Sequence, residues 1–169
     1  MNYSIYAEST PNPEVMKFVS NRMLADKSIE IKNVREAHGI SIAIELLKFP
    51  FVESIYMSSN FISITKNKNL KWESIAMQLR IFITEHLNSN EITNYTKDIK
   101  VAKENTINNK QYANSRVLTQ KEKEVEAILN EYIAPAVESD GGAITLNYYK
   151  DNIVCVDLKG ACSGCPSSW

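Results

Sequence analysis

Apolar and polar positions recur with two different periods along this chain, and each change of period marks an element. Met16-Lys17-Phe18-Val19 and Ile29-Glu30-Ile31-Lys32 read as short strands, the second with clear two-residue alternation. After Gly39 the period lengthens. Ile40, Ala43, Ile44 and Leu47 share one helical face until Pro50, which cannot continue a helical backbone ladder. Val52 to Met57 and Phe61 to Thr65 suit strands, and Ser58-Ser59-Asn60 between them predicts a hairpin. Trp72, Ile75, Ala76, Leu79, Phe82 and Ile83 then recur at helical spacing, a stripe fit to pack on a sheet.

From about Asn88 to Leu118 no period is sustained. Asn, Thr, Lys and Glu dominate there, and Ile92, Tyr95, Ile99 and Val101 are scattered. Such a stretch buries too little apolar surface to offset the entropy of ordering it, so it reads as a linker. Periodicity returns at Thr119-Gln120-Lys121-Glu122, a capping box that opens a helix with Val125, Ile128, Leu129, Tyr132 and Ile133 on one face. Pro135 is expected to kink or close that helix, and Asp140-Gly141-Gly142 to turn the chain. Ile144, Leu146 and Tyr148 alternate along one strand, and Asp151-Asn152 turns into a second, Ile153 to Leu158. There Val154, Val156 and Leu158 should meet the helix, with Cys155 on the opposite face. The expected fold class is therefore α+β. Two small α/β domains, 1–87 and 119–169, flank the polar linker 88–118, and the second is a helix plus hairpin leading to a Cys-x-x-Cys loop.

Composition narrows the classes of function. The 169 residues leave room for two small domains. With 19 Lys and Arg against 20 Asp and Glu, no basic surplus points to nucleic acid. Apolar runs are broken by charge within a few residues, so no membrane span is expected. Met1-Asn2-Tyr3-Ser4-Ile5 lacks the basic-then-apolar order of a leader. Three clustered cysteines do not make a disulfide framework, so a reducing, cytoplasmic setting is expected.

The chemistry lies beyond the last strand, in Gly160-Ala161-Cys162-Ser163-Gly164-Cys165-Pro166-Ser167-Ser168. Two thiols at this spacing can converge on one metal centre, and the Gly and Ser residues between them let the backbone bend round it. Pro166 suits the first position of a following helix, whose start would favour thiolate over thiol. A Cys-x-x-Cys alone is open to three readings: structural zinc, a thiol–disulfide redox pair, or an iron–sulfur ligand pair. His38 and His86 read as surface or capping residues. Cys155 reads as a free, partly exposed thiol open to oxidation.

The longer strings are more specific. Asp140-Gly141-Gly142, the hairpin and the loop from Gly160 to Ser168, with Glu131-Tyr132-Ile133-Ala134-Pro135-Ala136-Val137 upstream, resemble the C-terminal domain of NifU, the Nfu-type iron–sulfur scaffold. Thr10-Pro11-Asn12-Pro13-Glu14-Val15-Met16-Lys17-Phe18 and Asn60-Phe61-Ile62-Ser63-Ile64-Thr65-Lys66 resemble the N-terminal Nfu domain. The resemblance implies a carrier of a preassembled cluster, not an enzyme. Cys162 and Cys165 would be its cofactor and metal ligands. A [4Fe–4S] cluster takes four thiolates, so the implied site is shared by two protomers of a homodimer on a twofold axis. Upstream cluster-assembly proteins and apo iron–sulfur proteins are the implied partners, and zinc is an artefact the site could also hold. The N-terminal domain would serve recognition. Family members continue into a further helix where this chain stops at Trp169, so the cluster-binding domain is expected to be incomplete and marginally stable alone.

Overall fold

The computed structural model describes residues 2–89 and 118–166. The expected linker lies almost wholly outside these residues, as does any helix beyond Pro166. The N-terminal unit is a five-stranded antiparallel sheet in the order β1 (Ile5–Ser9), β2 (Val15–Ser20), β5 (Phe61–Lys66), β4 (Val52–Ser59), β3 (Ala25–Ile31). One face is covered by α1 (Ser41–Leu46) and α2 (Trp72–Ser89). Phe18, Ile55, Met57, Ile62 and Ile64 point into that core, meeting Ile42, Leu46, Leu79 and Ile83. Ile75, Leu79, Ile83 and Leu87 are the buried stripe of α2, at the spacing the sequence shows. β1 had no strong sequence signal, since four of its five residues are exposed at a sheet edge.

Strand alternation leaves the other sheet face with its own residues. Lys17 pairs with Ser63, and Ser63 with Tyr56, so these three form one row across β2, β5 and β4. Val19, Tyr56 and Phe61 make a second apolar cluster, separate from the main core. These side chains are covered by the C-terminal unit.

That unit begins with α3 (Gln120–Ile128), where the capping box forms as expected. The Glu122 carboxylate is fully buried. It accepts from the Thr119 backbone N–H and hydroxyl, both at 2.9 Å, and from the Tyr149 N–H at 3.3 Å. The helix start is thereby tied to the hairpin. Pro135 neither closes the helix nor stops it. It lacks an N–H and crowds the preceding turn, and a π-helical segment, Leu129–Ile133, widens the backbone just before it. The helix then resumes as α4 (Ala134–Ser139). β6 (Gly142–Lys150) and β7 (Ile153–Gly160) pair antiparallel through Asp151 and Asn152, both at positive φ. Ile128, Tyr132, Ile133, Ile153 and Val154 stay exposed. The deepest apolar positions of this unit, Ala161 and Cys165, lie in the loop at the end that meets the N-terminal sheet.

One titratable group in the N-terminal unit gives a test of this packing. His86 of α2 lies with Nε2 3.1 Å from Ser41 Oγ and its ring beside Phe82. Burial holds its pKa below the ordinary value, opposed in part by the Glu45 carboxylate. A folded-state pKa below the unfolded one of about 6.5 means stability present above that pH and lost as pH falls through the folded value. The drop in melting temperature between about pH 8 and about pH 5 should be smaller in His86→Gln than in the parent chain.

Candidate functional site

The loop after β7 is shaped by its glycines. Gly160 at φ 63° and Gly164 at φ 73° adopt the left-handed backbone that side chains disfavour. Ala161 N–H donates to Gly141 O at 3.2 Å and Ser163 N–H to Gly160 O at 3.0 Å, so the loop folds back on the hairpin base. Gly142 is there for close approach: a Cβ on it would stand 2.8 Å from Cys162 Sγ and 2.5 Å from Lys159 O.

Cys162 and Cys165 line one pocket of about 240 Å³ together with Pro11, Asn12, Val137, Asp140, Leu158 and Ala161. Cys162 is half-buried, with Sγ 4.0 Å from Val137 O, and Cys165 is buried. Cys155 is elsewhere, paired across the hairpin with Tyr148. Its bond to Cys155 and the nearby thiol charge push the Tyr148 phenol pKa up. The sequence reading thus placed the two ligand candidates together and the third cysteine apart, as they stand in the fold. Among the described residues no group of three or more His, Cys, Asp or Glu side chains could hold a metal ion.

Burial pushes the Cys162 thiol up, and the negative charges of Asp140 and Cys165 add to it. The helix start expected at Pro166 lies outside the described residues, and a raised thiol pKa makes metal binding at Cys162 more strongly coupled to proton release.

Sequence reasoning missed the contribution of Pro11 and Asn12. They sit some 150 residues upstream, between β1 and β2, yet form part of the pocket wall. Asn12 is buried, and its Nδ2 donates to Ala161 O at 3.0 Å. The only signal was that both fall in the Thr10-Pro11-Asn12-Pro13 string, whose role periodicity could not reveal.

The family described as "Scaffold protein Nfu/NifU N terminal" matches residues 5–90, and the NifU-like domain matches residues 125–169. The chain is 28% identical over 172 residues to the mitochondrial NFU1 iron-sulfur cluster scaffold homolog of Drosophila ananassae, covering 99% of this chain and 56% of that protein. It is 27% identical over 167 residues to the mitochondrial NifU-like protein 4 of Arabidopsis thaliana, covering 97% and 56%. A solution structure of a NifU-like protein from Saccharomyces cerevisiae matches 53% of this chain and 82% of that one at 28% identity, with a TM-score of 0.44. The chain spans a little over half the length of the relatives named here. Both relatives are mitochondrial by name, which overturns the cytoplasmic expectation. That expectation rested on unpaired cysteines, and a reducing environment is not unique to the cytosol.

Proposed function

Because the chain belongs to the Nfu/NifU scaffold family, with the N-terminal family match alone covering residues 5–90, we propose that it carries an iron–sulfur cluster on Cys162 and Cys165 and passes it on. Residues 1–87 and 119–169 act as its two units, joined by 88–118, and the second unit holds the ligands. The observation that supports this reading is the convergence of two thiols on one pocket, with no group of three or more His, Cys, Asp or Glu side chains fit to hold a metal among the described residues. A [4Fe–4S] cluster takes four thiolates. Two protomers related by a twofold axis supply them, each giving its own pair. The loaded form is a homodimer.

Such a site serves delivery. Cluster release needs only ligand exchange at a small interface, with no bond made or broken within the polypeptide. The cysteines act as ligands, not as catalysts, and the cluster is cargo, received from upstream assembly proteins and given to apo-proteins. Anaerobic reconstitution of the full chain with iron and sulfide tests this. The expected product is brown, dimeric by size-exclusion chromatography and carries about four irons per dimer. A colourless monomer, or a product with stoichiometric zinc alone after the same treatment, overturns it.

A further inference from the structure

We propose that the outer face of the N-terminal sheet is a built-in cap for the thiol loop. The chain rests docked, with Cys165 covered, and releases the loop when a second protomer joins it around a cluster. The release step rests on the shared-site reading above; the docking does not.

The cap is built from both sides of the loop. Ser63, 1% exposed, donates through Oγ to Gly141 O at 2.7 Å. In the same row, Lys17 Nζ donates to Glu138 O at 3.3 Å and Ser139 O at 3.0 Å. These are the last carbonyls of α4, where a cation complements the free acceptors and the helix dipole. The Lys17 ammonium also sits 4.4 Å from the centre of the Phe61 ring. Asn12 holds Ala161 O from the far side. All of these bonds go to backbone carbonyls, at the end of α4, in the turn before β6 and, at Ala161, in the loop itself.

Apolar contact completes the seat. Ala143 packs on the cluster of Val19, Tyr56 and Phe61. Gly160 passes so close that a Cβ would stand 2.8 Å from the Tyr56 ring. Without the C-terminal unit these three large side chains would face water on an open sheet, an exposed patch that docking removes. The seat is nonetheless small, a few hydrogen bonds and one three-residue cluster, on the scale of an inter-domain contact that opens. The cap also accounts for the strings around Asn12 and Ser63, which ligation alone leaves without a role.

The docked form conflicts with a shared site. Pro11 and Asn12 form part of the wall of the pocket that holds both thiols, so a partner loop closing over those thiols meets them. Loading therefore competes with docking, and apo thiols are shielded until a second copy or a donor displaces the cap.

The test uses the metal-free full chain and follows alkylation of each cysteine by iodoacetamide with mass spectrometry. Ser63→Arg, which places a long cation against Gly141, should speed modification of Cys165 by about tenfold or more, as expected when a closed local state is opened. Asn12→Ala removes one hydrogen bond and should speed it by about two- to tenfold. Cys155, outside the seat, should react at an unchanged rate and serves as the internal reference. If Ser63→Arg shifts the melting of the N-terminal unit, Asn12→Ala and Lys17→Ala carry the test. Equal Cys165 rates in the parent and these variants overturn the cap. The readout needs no cluster, so failed reconstitution would overturn the carrier reading and leave the docking result standing.

Discussion

Replacing Cys162 or Cys165 with alanine should abolish the brown dimer on anaerobic reconstitution, whereas Cys155→Ala should leave it intact. A twofold site doubles the loss: each substitution removes two of the four thiolates that a four-iron cluster takes. Among the described residues no group of three or more His, Cys, Asp or Glu side chains offers a substitute site, and Asp140, the one carboxylate in the pocket wall, does not restore two thiolates. Cys155 projects from β7 opposite Tyr148 and has no part in the pocket, so its removal should change neither iron content nor the dimer peak. Iron per chain and elution volume read the result directly. Iron retained at parent levels in Cys162→Ala or Cys165→Ala would remove both residues from the site, and loss in Cys155→Ala would require a third ligand. Half-occupancy in a single variant would point to a smaller cluster on the remaining thiols.

The second large effect is expected at Gly160. Its φ of 63° already costs a residue with a side chain about 1 kcal/mol. A Cβ there would also stand 2.6 Å from Gly141 O and 2.8 Å from Tyr56, one of them backbone that cannot step aside. Forcing an extra carbon into such a contact costs about 1–3 kcal/mol more. Gly160→Ala should therefore destabilise the C-terminal unit by about 2–4 kcal/mol in all. The control is Gly164→Ala. Gly164 has the same kind of backbone at φ 73° but nothing within 4 Å of its Cβ position, so only the conformational cost of about 1 kcal/mol applies. Hydrogen exchange of the β6–β7 hairpin separates the two. A double-mutant cycle with Tyr56→Ala should recover part of the Gly160 loss, because the pair is in contact. Equal effects at Gly160 and Gly164 would mean that the docking seat adds nothing to the stability of this unit.

These expectations rest on two kinds of information. Local chemistry was legible along the chain. The capping box at Thr119 and Glu122 involves residues three apart, and the structure forms it. The stripe of α2 and the β4–β5 hairpin likewise follow from spacing within one element. Cys162 and Cys165 share a pocket because only Ser163 and Gly164 separate them, so their convergence is nearly a property of the chain itself. Where local signals compete, reading along the chain fell short. Pro135 looks like a stop, yet a π-helical segment widens the backbone just before it and the helix resumes.

What the sequence by itself determined, then, is most of the elements, the spacing that brings Cys162 and Cys165 into one pocket, and the family, all carried by residues close together in the chain. Only the tertiary structure decided what the pair faces. Asn12 and Ala161 are 149 positions apart and bond directly, and Ser63 meets Gly141 across 78. No period or spacing encodes such contacts. They arise because strand alternation gives the sheet a second face, and Val19, Tyr56 and Phe61 on it must be covered. Helices bury the first face from within the N-terminal unit, and the base of the β6–β7 hairpin packs on the second from outside it. The raised pKa of the Cys162 thiol is likewise a tertiary property, because it comes first from burial and then from Asp140. Burial is a sum over all neighbours that the folded chain brings near, and the order of residues alone does not contain it.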